Sequence, residues 1–224
     1  MAAIQILSLC VIFIQILFCA SAQKQHNITL GSTLSPSQNS KWVSPNGQFA
    51  FGFYPLTPTL YVVGLWFDSV IPKTLAWTVL KDKRDIPVEK TSSLQLTVNR
   101  LSLSDNRKNV LWLSKYADKV AEAAMLDNGN FVLLNALFDI IWQSFHYPMD
   151  TLLPGQRLMT NSNIFSKAST TNFSAGRFEL SMQKDGNLVL YTVERSGHPQ
   201  GAYWAFGQLL NVVSLNLIRQ GRSI

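Results

Sequence analysis

Gln183-Lys184-Asp185-Gly186-Asn187-Leu188-Val189-Leu190-Tyr191 is a hairpin written out in sequence. Apolar and polar residues alternate in Phe178-Glu179-Leu180-Ser181-Met182, the two-residue period of a strand, and the run Leu188-Val189-Leu190-Tyr191 after Asp185-Gly186 is a short apolar strand-like burst. A three-residue loop runs through a type I turn into one left-handed residue, where glycine carries almost no steric cost. With Lys184-Asp185-Gly186 as that loop, Gln183 stands opposite Asn187. Asn187, Val189 and Tyr191 then share one face, while Leu188 and Leu190 point to the other, toward a core.

The same punctuation recurs upstream at irregular spacing, in Pro45-Asn46-Gly47 and Asp127-Asn128-Gly129. Pro45 suits the first turn position through its fixed φ, and Asn or Asp suits the second. Around these turns the apolar residues come in short bursts, such as Phe49-Ala50-Phe51-Gly52-Phe53, Leu94-Gln95-Leu96-Thr97-Val98 and Phe131-Val132-Leu133-Leu134. Many short antiparallel strands follow, so the chain is expected to be all-β. Tyr116 to Leu126 has a helical look but is read as strand, because Asp127-Asn128-Gly129 follows at once. Trp66, Trp77, Trp112, Trp142 and Trp204 each sit in an apolar burst and read as core.

The polar face of the Gln183 hairpin carries chemistry. Two amides, from Gln183 and Asn187, a carboxylate at Asp185 and the phenol of Tyr191 match vicinal sugar hydroxyls, which both donate and accept. Val189 offers a small apolar surface for ring carbons. Each hydrogen bond exchanged with water contributes about 1 kcal/mol net, so one such site binds weakly and gains from multivalency. The competing reading is that turn chemistry alone selects Asp185-Gly186-Asn187 and that Tyr191 is a half-buried strand aromatic.

This nine-residue stretch matches in full the Q-x-D-x-N-x-V-x-Y motif of bulb-type mannose-binding lectins. Further blocks resemble the ectodomain start of plant G-type lectin S-receptor-like kinases. They include Trp42 to Phe53, Gly64-Leu65-Trp66-Phe67, Ile71 to Trp77, Leu126 to Leu133 and Trp142 to Gly155. The resemblance covers nearly everything after residue 22. It implies a β-prism, three small sheets about a pseudo-threefold axis, over 23–147, followed by a partial second lectin-like domain over 148–224. It also implies mannose-type glycans or glycoproteins as partners.

Departures from the pattern are specific. The first repeat offers Ser44, Asn46 and Gln48 at the polar positions, and the third offers Leu126, Asn128 and Asn130. The middle repeat, near Asn99 and Arg100, has lost its glycine. These hairpins are expected to serve folding, leaving Gln183, Asp185, Asn187, Val189 and Tyr191 as the carbohydrate site.

Met1 to Ala22 lacks charged side chains, is apolar from Ile4 to Phe18 and ends Ala20-Ser21-Ala22, which reads as a cleaved signal peptide. Both cysteines, Cys10 and Cys19, fall inside it, so stability is expected from burial alone. Asn27-Ile28-Thr29 and Asn172-Phe173-Ser174 are glycosylation sequons and fit a secreted or extracellular chain, at the cell surface if part of a longer receptor. The formal charge of +6 is scattered, and its one dense run, Lys81-Asp82-Lys83-Arg84-Asp85, mixes signs and reads as a solvated loop without nucleic-acid partners. His26, His146 and His198 lack ligand spacing, so neither metal nor cofactor is expected. No kinase phosphate loop, His-Arg-Asp or Asp-Phe-Gly triplet occurs, and no enzyme is expected. A second functional reading is a module that meets other receptor ectodomains or itself, with sugar binding lost.

Overall fold

The computed structural model describes residues 27–115, 118–194, 198–207 and 214–216. The expected signal peptide and His26 lie outside the described residues.

The first strands are β1 (Ile28–Thr29), β2 (Thr33–Leu34), β3 (Lys41–Val43), β4 (Phe49–Pro55), β5 (Leu60–Phe67), β6 (Thr74–Thr78), β7 (Leu80–Lys81), β8 (Arg84–Asp85) and β9 (Val88–Glu89). Then come β10 (Ser93–Leu96), β11 (Leu101–Ser104), β12 (Val110–Leu113), β13 (Glu122–Met125), β14 (Phe131–Leu134) and β15 (Ile140–Gln143). A last group holds β16 (Arg157–Met159), β17 (Ser162–Lys167), β18 (Ala175–Met182), β19 (Leu188–Val193), β20 (Pro199–Ala205) and β21 (Ser214–Asn216). The all-β expectation holds, and the stretch before Asp127 forms a strand, β13, rather than a helix.

Three antiparallel sheets, ordered β3-β4-β5-β6 with β9 beside β5, β12-β11-β10-β2, and β1-β13-β14-β15, share one core. Two edge strands, β1 and β2, come from one short segment and lace two of these sheets together. At the centre the rings of Phe51 and Phe131 stack with centroids 3.8 Å apart, and Trp42 stacks on both. Full burial of such side chains contributes about 1.5–3 kcal/mol each, and the described residues, which contain no cysteine, are held together by this burial. A fourth antiparallel sheet, β17-β18-β19-β20, packs Ile164 and Met182 against Leu158 of the paired β16 and β21 in a smaller core.

The register of the first hairpin differs from the expected one. Val43 pairs with Ala50 and the Ser44 N–H donates to the Phe49 carbonyl, so the loop has four residues, Pro45 to Gln48, instead of three. A one-residue slip would move every side chain of the strand to the opposite face. The observed register sets Trp42 opposite Phe51, where the two rings stack, and so the core selects it.

The mixed-charge run is also more ordered than a solvated loop. Lys81 pairs with Arg84 across a two-residue turn, and Asp82 and Lys83 sit at φ of +52° and +62°, as a type I′ hairpin demands. Asp85 then clasps the β17–β18 connection. Its carboxylate accepts the Phe173 N–H at 2.9 Å and the Ser174 hydroxyl at 2.8 Å, and the Lys83 carbonyl accepts the Ala175 N–H. Phe173 itself is buried in the three-sheet core.

Asp68, just after β5, gathers three donors, accepting from Lys41 Nζ at 2.5 Å, Lys73 Nζ at 2.8 Å and Trp66 Nε1 at 2.9 Å. Burial pushes its carboxyl up, but the hydrogen bonds from Lys41, Lys73 and Trp66 outweigh that and hold it at about 2.

Candidate functional site

The β18–β19 hairpin closes with the expected three-residue loop. The Gln183 N–H donates to the Asn187 carbonyl at 2.8 Å, the Gly186 N–H returns to the Gln183 carbonyl at 3.0 Å, and Gly186 lies at φ +81°. Asp185, exposed at the tip, accepts the Asn187 N–H through Oδ1 at 3.0 Å, an Asx turn that shapes the loop from within. The local reason for the fold is therefore the pair Asp185-Gly186: one residue bonds two positions onward, and the other takes the left-handed step.

Gln183, Asn187, Val189 and Tyr191 do share a face, as the register of Ser181 with Val189 and Glu179 with Tyr191 requires. Gln183 Nε2 donates to Tyr191 Oη at 2.5 Å, so amide and phenol form one polar unit. Asn187 Oδ1 accepts the Gly207 N–H at 3.0 Å, which ties the segment after β20 to the loop and leaves Nδ2 without a partner among the described residues. Val189 is only 3% exposed, so it is floor beneath the polar groups and offers no open surface for ring carbons. Leu188 and Leu190, on the other face, are half-buried.

One member of this face was missed from sequence. Glu179 is 4% exposed, stands across from Tyr191, and accepts from Asn163 Nδ2 at 2.8 Å. Its only sequence signal is the two-residue step through Ser181 to Gln183. The polar face thus runs Asn163, Glu179, Gln183, Tyr191 and Asn187, a mix of donors and acceptors suited to vicinal hydroxyls.

The equivalent groups of the other hairpins are spent internally. Ser44 Oγ donates to Asn46 Oδ1 and accepts the Phe49 N–H, while the Asn46 N–H donates to Asp127 Oδ1 at 2.9 Å, joining the first and third loops. Asn130, 4% exposed, gives Nδ2 to Gln143 Oε1 at 2.7 Å and takes bonds from Ser144 Oγ and the Phe145 N–H on its Oδ1. The middle repeat turns in two residues, Val98-Asn99, through Thr97 and Arg100.

Both sequon asparagines are exposed. Asn27 Nδ2 donates to Glu122 Oε2, and Asn172 Oδ1 accepts the Ser174 N–H. Of the tryptophans, Trp66, Trp77 and Trp142 are buried and Trp112 is half-buried, but Trp204 is 43% exposed. It pairs with Leu190 on the apolar side of β19, on the edge strand β20.

Residues 74–174 match the family model described as D-mannose binding lectin. Among curated proteins, the G-type lectin S-receptor-like serine/threonine-protein kinase LECRK1 of Oryza sativa subsp. japonica is 41% identical over 204 residues, covering 86% of this chain and 25% of its own length. LECRK3 of Oryza sativa subsp. indica is 38% identical over 218 residues, with coverages of 92% and 27%. The Japanese Marasmius oreades lectin is a slight structural likeness, with a TM-score of 0.39 at 12% identity, covering 53% of this chain and 88% of its own. The chain carries a bulb-type lectin domain and is similar over most of its length to part of these G-type lectin S-receptor-like kinases. It spans about a quarter of the length of the curated relatives it matches.

Proposed function

We propose that this chain is a non-catalytic, extracellular carbohydrate-recognition module for mannose-type glycans, with Gln183, Asp185, Asn187 and Tyr191 as the sugar contacts and Val189 as their floor. The observation that carries the reading is the linked Gln183–Tyr191 pair beside Asn187, on a hairpin whose counterparts spend the same positions on internal bonds. In the same reading the first domain runs over 23–147, an incomplete second one over 148–224, residues 1–22 are removed on secretion, and Asn27 and Asn172 carry glycans. The test is binding of the purified, folded chain to immobilised mannosides with free methyl mannoside as competitor. Competed binding that Asn187→Ala abolishes and Tyr191→Phe weakens about fivefold or more supports the reading, a loss of about 1 kcal/mol for one hydrogen bond. No competed binding by a chain that melts cooperatively refutes it.

A second reading, a protein-interaction or self-association module with sugar binding lost, draws on the exposed aromatics Phe178, Tyr203, Trp204 and Phe206 around the apolar side of the fourth sheet. Binding to another receptor ectodomain, or a concentration-dependent dimer that Trp204→Ser dissolves, would favour it.

A further inference from the structure

A groove of about 910 Å³, lined by no residue of the Gln183 hairpin, opens between the edge strand β12 and the run from β6 into β7. That volume falls within the range of small-ligand sites. Its floor is aromatic. Trp142 meets Trp77 and Trp112 edge to face, at 6.0 and 6.2 Å, and stacks with Tyr147 at 5.7 Å. Tyr147 is 47% exposed and Trp112 half-buried, so rings of both reach the opening. The Trp77 indole N–H donates to the Tyr147 carbonyl, which fixes that residue's backbone to the floor.

The rim is cationic. Lys81, Lys83, Arg100 and Lys115 line the groove against the single carboxylate of Asp82, a formal +3 at one place in a chain of +6. Charges that look scattered along the sequence therefore converge through the sheets. All four cations are exposed, and none forms an ion pair among the described residues. Lys83 Nζ rests 4.1 Å from the centroid of the Phe165 ring, which holds one cation in place without neutralising it.

We infer that this groove is a second binding site, separate from the mannose-type site, for a short acidic oligosaccharide of uronate type. The aromatic floor accepts the apolar face of a pyranose ring. The rim pairs with ring carboxylates, and Arg100 presents the planar fork that takes a carboxylate through two parallel hydrogen bonds. A neutral glycan leaves the cations unused, and an acidic peptide has no flat face for the floor.

The experiment titrates the full chain with trigalacturonate by calorimetry, alongside its methyl ester, mannotriose and a hexaglutamate peptide. The expected result is saturable binding to trigalacturonate that weakens steeply with added salt, is lost in the methyl ester, and falls about tenfold or more in the double variant Arg100→Gln/Lys115→Gln. Tyr147→Ala weakens it about threefold or more, a stacking loss, while Asn187→Ala leaves it unchanged, which separates it from the hairpin site. The proposal is overturned if a chain that melts cooperatively shows no saturation by about 5 mM trigalacturonate, or if the methyl ester or hexaglutamate binds as well. It is equally overturned if the double variant melts as the parent does and binds as tightly.

Discussion

Gly129 and Gly47 each take the left-handed position of a hairpin loop, but a methyl group added to each meets different surroundings, and the pair separates two energies. Gly129 lies at φ +88° and Gly47 at +71°, a region where an L residue costs about 1–2 kcal/mol. At Gly47 a Cβ meets nothing within 4 Å, so Gly47→Ala should cost only that backbone amount. At Gly129 the same atom falls 2.6 Å from Leu153 Cδ1 and 3.0 Å from Phe49 Cε1, both on buried side chains. Leu153 has a rotatable end, but the Phe49 ring is held against Phe67 with centroids 4.9 Å apart. Overpacking of this kind adds about 1–3 kcal/mol, so Gly129→Ala should destabilise by about 2–5 kcal/mol in all. Urea unfolding followed by the fluorescence of the buried Trp77 and Trp142 measures both. Equal midpoints for the two variants would refute the packing argument, and a Gly47→Ala midpoint equal to the parent's would refute the backbone argument.

Phe138 holds the left-handed position of the β14–β15 loop at φ +64° while 70% exposed, so Phe138→Gly should raise stability by about 0.5–1 kcal/mol in the same assay. The Asp68 carboxyl, held at about 2 against about 3.9 unfolded, contributes stability present above pH 4 and lost as pH falls through about 2. Asp68→Asn should therefore lower the thermal midpoint at pH 7, with the gap to the parent narrowing between about pH 4 and 2. Asp85→Ala removes two acceptors from the clasp, and timed trypsin digestion should show faster cleavage after Lys167, with the three-sheet unit still protected.

The features that sequence makes legible are those set by local chemistry. The β18–β19 loop follows from Gly186 needing the left-handed step and Asp185 bonding onward, and the face shared by Gln183, Asn187 and Tyr191 follows from that loop and the pleat. Pro45-Asn46-Gly47 fits a three- or four-residue loop equally well, and only the stacking of Trp42 on Phe51 settles the register. Glu179 reads as a solvent-facing residue of an alternating strand, because its burial depends on the long side chains of Asn163 and Tyr191 across two neighbouring strands. Trp204 misleads for the opposite reason: its burst is apolar, yet it stands on the edge strand β20 and is left 43% exposed. Lys81 lies in β7, Arg100 in the turn before β11 and Lys115 just after β12, and no local rule places them on one groove.

The clasp at Asp85 also governs how the polar hairpin is aimed. A body attached by a single linker swivels freely, whereas one attached at two separated points retains a single axis of rotation, like a door on two hinges. Here the covalent path through residues 144–157 is one hinge, itself pinned where the Tyr147 carbonyl accepts the Trp77 indole and Gln156 Nε2 donates to the Phe145 carbonyl. The Phe173–Asp85 contact is the other. Two ligands held at once, one on the fourth sheet and one in the basic groove, would then keep a bearing to each other that loosens when the Asp85 carboxylate is removed.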